Sequence, residues 1–289
     1  MNRALAAAEL LRPRQWVKNA FVLVGLVFGH AWRDPALAAA ALGATAAFCL
    51  ASGAVYAFND ACDAAQDRDH PDKRTRPVAR GALSARAALG IAALAALAAL
   101  ALGAWSGWRV AAILGAYLGM NVAYTLALKR VPVLDVVVIA AGFMLRLLAG
   151  TSGIGIEPSG WLLACGFLLT LFLGFAKRRA EIERLAAGAG LHRRVLAAYS
   201  GAFLDKAILA SALAMIAAYA SYTLAEETVR LHGGGLALTL PWVLLGTLRY
   251  LYRLKFRGGG GDPAEELLRD PWLALAVGGW VATVLWLIG

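Results

Sequence analysis

Between Asn59 and Asp67 the chain reads NDACDAAQD, three carboxylates and an amide at spacings 1, 3 and 4. On a continuous helix, at about 100° per residue, Asn59, Asp60, Asp63 and Asp67 share an arc of about 100° and therefore one face. Carboxylates with an amide oxygen suit a hard divalent cation, and Mg²⁺ typically takes one or two carboxylates and completes its shell with water and substrate phosphate. Lys73, Arg74, Arg76 and Arg80 follow at once, and cations beside a metal cluster are what a diphosphate needs to share out its charge. A solvated mixed-charge loop is the competing explanation. Same-face acids at the end of a spanning helix are costly without a cation, which favours the metal–diphosphate reading. His70 and Pro71 are expected to end the helix, because proline disfavours a helical residue before it.

The elements that carry this cluster are membrane helices. Of 289 residues, 61% are apolar and 16% charged, against roughly 45–50% and about 25% in a soluble domain. Apolar windows predict nine spans, at about 15–31, 36–58, 87–105, 109–128, 133–151, 159–176, 203–224, 236–254 and 271–288. Continuous Ala/Leu-rich runs lack the alternation of barrel strands, so the fold class is an all-α polytopic bundle, one membrane-embedded domain over 1–289. Dividing the 28 Lys and Arg between alternating connections gives 24 to 4, which predicts a cytoplasmic N-terminus and an external C-terminus. The first residues are broken by Arg12, Pro13 and Arg14 and do not read as a removed signal peptide. Gly25/Gly29 and Gly115/Gly119 form GxxxG pairs, read as close helix packing.

Other chemistries lose support. Cys49, Cys62 and Cys165 are scattered, as are the four histidines, and there is no HExxH, Walker loop or GxSxG elbow. The net charge of +10 resides in membrane-flanking loops and points to topology, not to nucleic acid. Tyr124 and Lys129 close the fourth predicted span and are candidates for the same cytoplasmic cavity, or else interfacial anchors. Asp135 lies just inside the next span, with Lys129 or Arg130 as expected partner. Arg146 is assigned no catalytic role.

These residues resemble the UbiA-type intramembrane prenyltransferase superfamily, whose first signature NDxxDxxxD is complete here. RPRQWVKN (Arg12 to Asn19), DRDHPDKRTRPVARG, YTLALKR and LDVVVIAAGFMLRLLAG are most similar to its decaprenylphosphoryl-phosphoribose branch. The resemblance implies Mg²⁺-dependent transfer of 5-phosphoribose from phosphoribosyl diphosphate to a polyprenyl phosphate, at the cytoplasmic face of a bacterial-type inner membrane. It implies Asn59, Asp60, Asp63 and Asp67 as metal ligands, the three Asp as the catalytic groups, and Lys18, Lys73, Arg74, Tyr124 and Lys129 as phosphate contacts. Aromatic prenyltransferases of the superfamily carry a second acidic motif where this chain has FAKRRAEIE. Lys177 and Arg178 therefore become candidates for the donor's 5-phosphate. The alternatives are an aromatic prenyltransferase using a prenyl diphosphate donor, disfavoured by the missing motif, and a transporter, for which no inverted repeat is evident.

Overall fold

The computed structural model describes residues 3–69, 71, 73–184, 196 and 198–288, and among these there is no β-strand. The first unit is built from α1 (Arg3–Leu10), a 3-10 stretch (Pro13–Leu23) running into α2 (Val24–Phe28), α3 (Pro35–Cys62), α4 (Ala64–Arg68), α5 (Ala85–Ser106) and α6 (Trp108–Leu126). The end of α7 (Leu134–Ala149) completes it, while the start of α7 belongs to the second unit. α3 starts where the Asp34 carboxylate accepts the Ala36 and Leu37 amides at 2.8 and 3.2 Å, with Pro35 supplying a pre-set φ. Its buried Ala41, Ala44, Ala47 and Ala51 present almost no side chain to α5 and α6 and let the helices approach closely.

Glycine marks the closest approach. A Cβ at Gly150 would stand 1.6 Å from the Val22 carbonyl oxygen, and one at Gly25 would stand 2.3 Å from Thr151 Cγ2. The Gly25/Gly29 pair thus packs tightly against 150–156, as its spacing predicts. The expectation fails at Gly115 and Gly119, whose added Cβ would meet nothing within 4 Å.

The second unit comprises the start of α7, α8 (Gly160–Arg184), α9 (Gly201–Leu224), α10 (Glu226–His232), α11 (Leu240–Phe256), α12 (Pro263–Arg269) and α13 (Pro271–Ile288). Phe172, Phe175 and Ala176 of α8 pack with Leu204 and Ile208 of α9 and with Tyr250, Leu254 and Leu273. After α11 the chain turns through Gly258 and Gly260, both at positive φ, and a charged clasp closes the turn. Arg249 grips the Asp270 carboxylate at 2.7 Å, and Arg253 reaches both Asp270 at 2.9 Å and Glu266. The clasp and the Asp270 cap on Leu273, at 3.0 Å, set the start of α13.

Seven described helical segments are long and apolar enough to cross a bilayer, making this a multi-pass membrane protein; the expected count of nine is not reproduced. The predicted 15–31 span is mostly 3-10 helix after Pro13. The 109–128 span is helical, but Arg109, Asn121 and two tyrosines dilute its hydropathy.

Candidate active site

The acidic cluster lies at the end of α3 in the first unit. The helix does not continue through it: Asp63 leaves helical geometry at φ −95°, ψ 4°, and α4 resumes at Ala64. The predicted four-residue face is therefore split. Asp60 and Asp67 are buried at 1% and 4% exposure and turn toward each other, whereas Asp63 turns aside to Lys129, whose Nζ is 2.6 Å away. Half-buried Asn59 accepts the Asp63 amide through its carbonyl, at 2.9 Å. Among the described residues no three His, Cys, Asp or Glu side chains converge as a metal-holding group, so two carboxylates, not three, address a common point.

That point is held by Arg76. Its Nη1 donates to Asp67 Oδ2 at 2.7 Å and to Asp60 Oδ1 at 3.1 Å. Arg12 Nη2 donates to the same Asp60 oxygen at 2.6 Å, with its guanidinium 4.8 Å above the Tyr56 ring. Burial pushes the Arg12 pKa below its ordinary value although Asp60 opposes the shift. Arg12 reaches this position from a left-handed backbone, φ 51°, uncommon for a non-glycine residue and costing about 1–2 kcal/mol. Arg76 is aimed by its loop. Val78 and Leu83 are buried against Ala6, Leu10 and Ala57, and Pro77's carbonyl accepts the Ala82 and Leu83 amides. Arg80 clamps Glu9 of α1 with two bonds, at 3.0 and 2.6 Å.

At the end of α3 the carboxylates of Asp60, Asp63 and Asp67 are thus met by the cations of Arg12, Arg76 and Lys129. Sequence proximity offers Lys73, Arg74, Arg76 and Arg80 as cations of the cluster; of these the structure brings Arg76 to Asp60 and Asp67, joined by Arg12, while Lys73 is half-buried and Arg74 exposed. The signal for Arg12 lay in the RPRQWVKN run. Arg76 stood among several equivalent loop cations and had none of its own. Asp60 and Asp67 could hold a divalent ion: the two buried carboxylates converge on a single cationic nitrogen, and Asp60 Oδ2 is buried without a hydrogen-bond partner among the described residues.

Deeper in the unit, Arg146 donates to Asn19 Oδ1 at 2.7 Å and Tyr117 Oη at 3.0 Å, and lies 4.8 Å from the Tyr117 ring. Asn19 in turn donates to Ser52 Oγ at 3.3 Å. Arg146 thereby ties Asn19 to Tyr117. Lys18 beside Asn19 and Tyr124 on α6 are half-buried.

In the second unit, Asp135 is paired with Arg178, not with the expected Lys129 or Arg130: Nε lies 2.6 Å from Oδ2, and Arg178 also holds Glu181 at 2.6 Å. Tyr199 donates to Asp135 Oδ1 at 2.6 Å and accepts the Val133 amide at 2.6 Å. Burial first, then the Asp135 carboxylate, raises the Tyr199 pKa, so the phenol stays a donor. The Val133 bond fixes a β-branched residue at φ 67°, a strained backbone. Arg178, a candidate for the donor's 5-phosphate, is 1% exposed and pairs with the Asp135 and Glu181 carboxylates. Lys177 beside it is half-buried, and His70 lies outside the described residues.

A multi-pass protein, helical throughout its described elements, with carboxylates and matched cations at the end of a spanning helix has the layout of an intramembrane transferase. Residues 19–268 match the UbiA prenyltransferase family. The chain belongs to that family. It is 32% identical over 291 residues to the decaprenyl-phosphate phosphoribosyltransferase of Corynebacterium glutamicum, covering 98% of this chain and 87% of the relative. To the enzyme of the same name from Mycolicibacterium smegmatis it is 31% identical over 296 residues, covering 98% and 92%. The solved structure of a UbiA homolog from Archaeoglobus fulgidus bound to DMAPP and Mg²⁺ superposes with a TM-score of 0.75, at 19% identity and 98% coverage of each chain.

Proposed function

We propose that this chain transfers 5-phosphoribose from phosphoribosyl diphosphate to a polyprenyl phosphate of decaprenyl type, releasing diphosphate, at the cytoplasmic face of a bacterial inner membrane. The observation that carries the reading is the convergence of Asp60 and Asp67 on one cation position, ringed by Arg12 and Arg76. Full-length relatives named for this reaction support it.

Asp60 and Asp67 would hold Mg²⁺, which supplies charge neutralisation for the departing diphosphate. In the reaction the C1–O bond to diphosphate breaks and the leaving group keeps the electron pair. A bond forms from C1 to a phosphate oxygen of the lipid. That oxygen is already anionic near neutral pH, so no residue need remove a proton. This chain's work is to place cations where charge develops. Arg12 and Arg76 stand beside the carboxylates, and Lys129 neutralises Asp63. Lys18, Lys73, Arg74 and Tyr124 are our assignments for further phosphate contacts, and Lys177 for the donor's 5-phosphate. Arg178 is a scaffold residue. Orientation rests on the 24 to 4 division of Lys and Arg.

The reading is tested in detergent by chelating divalent ions and then restoring Mg²⁺. Transfer of labelled phosphoribose to polyprenyl phosphate should stop and return. Transfer that persists after exhaustive chelation would remove the ion from the scheme.

A further inference from the structure

We propose that Arg76 is the resident counter-cation of the metal-free site and exchanges with the divalent ion, yielding Asp60 and Asp67 when the ion binds. The inference rests on the metal reading given under Proposed function and adds to it a residue that sets how tightly the metal is held.

Three observations point the same way. First, one atom, Arg76 Nη1, is shared by Asp67 Oδ2 and Asp60 Oδ1. Those are the carboxylates left to a metal once Asp63 is committed to Lys129. Two buried carboxylates facing one point repel strongly unless a cation stands between them, and here that cation is Arg76. Second, the substitution is incomplete. Asp60 Oδ2 is buried and has no hydrogen-bond partner among the described residues, although a carboxylate offers about four acceptor positions. A multivalent ion with its own waters can use an oxygen that a guanidinium leaves unused.

Third, Arg76 is held by its backbone more than by its side chain. The loop is fixed by buried Val78, Ala79 and Leu83 and by amide bonds to Pro77's carbonyl. The Arg76 side chain is 21% exposed, and its guanidinium donates to these two carboxylates. It can swing outward while the loop stays in place. Arg12 is less suited to exchange, since its guanidinium also stacks on Tyr56 and its left-handed backbone is strained around that position.

Exchange has a thermodynamic signature. An ion that must displace a bound cation has its apparent affinity reduced by the fraction of sites that are open. Charge-assisted bonds of the Arg76 kind correspond to roughly a ten- to hundredfold reduction.

The test titrates Mn²⁺ alone into the full-length detergent-solubilised protein, reading free Mn²⁺ by electron paramagnetic resonance and melting temperature in parallel. Arg76→Gln should bind Mn²⁺ at least about tenfold tighter than the parent. Its metal-free form should melt lower, and Mn²⁺ should raise that temperature by more than it raises the parent's. Unchanged or weaker Mn²⁺ binding in Arg76→Gln, with binding by the parent that Asp67→Asn abolishes, would overturn the exchange and leave the metal site standing. A parent that binds no Mn²⁺, or whose binding ignores Asp67→Asn, would overturn both this inference and the metal reading beneath it. If Arg76→Gln yields no folded protein, Arg76→Lys carries the test: its compact ammonium lacks the fork of the guanidinium. Mn²⁺ should then bind a few-fold tighter, and unchanged or weaker binding would again overturn the exchange.

Discussion

Arg178 Nε stands 2.6 Å from Asp135 Oδ2, with side-chain exposures of 1% and 0%, and Tyr199 closes the other Asp135 oxygen at 2.6 Å. A basic residue at the end of a spanning helix is here a buried tie between α8 and the start of α7. Breaking a buried pair by removing one partner typically costs about 3–5 kcal/mol, because the remaining charge is left uncompensated. Arg178→Ala should therefore lower the melting temperature markedly, and whatever folds should bind phosphoribosyl diphosphate with nearly parental affinity. Melting curves and donor titration on the same preparation separate the two effects. A normal melting temperature with weakened donor binding would restore Arg178 as a phosphate ligand.

Asp63 and Lys129 form a partly exposed pair, at 20% and 13% exposure. Such pairs contribute only about 0–1 kcal/mol to stability. Asp63→Asn should leave the melting temperature almost unchanged and, because Asp63 positions the Lys129 ammonium at the site, lower turnover about a hundredfold, the scale of losing one preorganised electrostatic group. Initial rates beside thermal melts check this. Near-parental turnover would take Asp63 out of the catalytic set.

The Asp270 carboxyl is held well below the usual carboxylate range, first by the Arg249 hydrogen bond and further by the Leu273 amide and Arg253. A depressed carboxyl stabilises the fold above its unfolded pKa of about 3.9, and that contribution is lost as pH falls through the lower folded value. The melting-temperature gap between the parent and Asp270→Asn should be constant from pH 7 to about pH 5 and narrow below about pH 4. A gap that widens on acidification would contradict the assignment.

The residue types of the site were legible because NDACDAAQD fixes carboxylates at helical spacing without help from the rest of the fold. Its geometry was less so. A periodicity argument carries the helix straight through Asp63, whereas the chain breaks there and gives Asp63 to Lys129, 66 residues away. Nearness along the chain does not rank Lys73, Arg74, Arg76 and Arg80 as partners of the cluster, and it points to Lys129 or Arg130 for Asp135. The structure pairs Asp60 with Arg12 across 48 residues, and Asp135 with Arg178. Ion pairing is decided by tertiary packing, here the burial of Val78 and Leu83 that turns Arg76 inward. The span count suffered in the same way: hydropathy does not distinguish a 3-10 stretch after Pro13 from a crossing helix.

The most direct test of the central claim is a donor comparison on the purified chain in detergent with Mg²⁺ and polyprenyl phosphate. Phosphoribosyl diphosphate labelled in its ribose is set against a labelled prenyl diphosphate offered with an aromatic acid. The account predicts label from the ribose in a lipid-soluble product, released diphosphate in equal amount, and no prenylated aromatic acid. Efficient prenyl transfer to the aromatic acid, with no label passing from phosphoribosyl diphosphate to lipid, would contradict it.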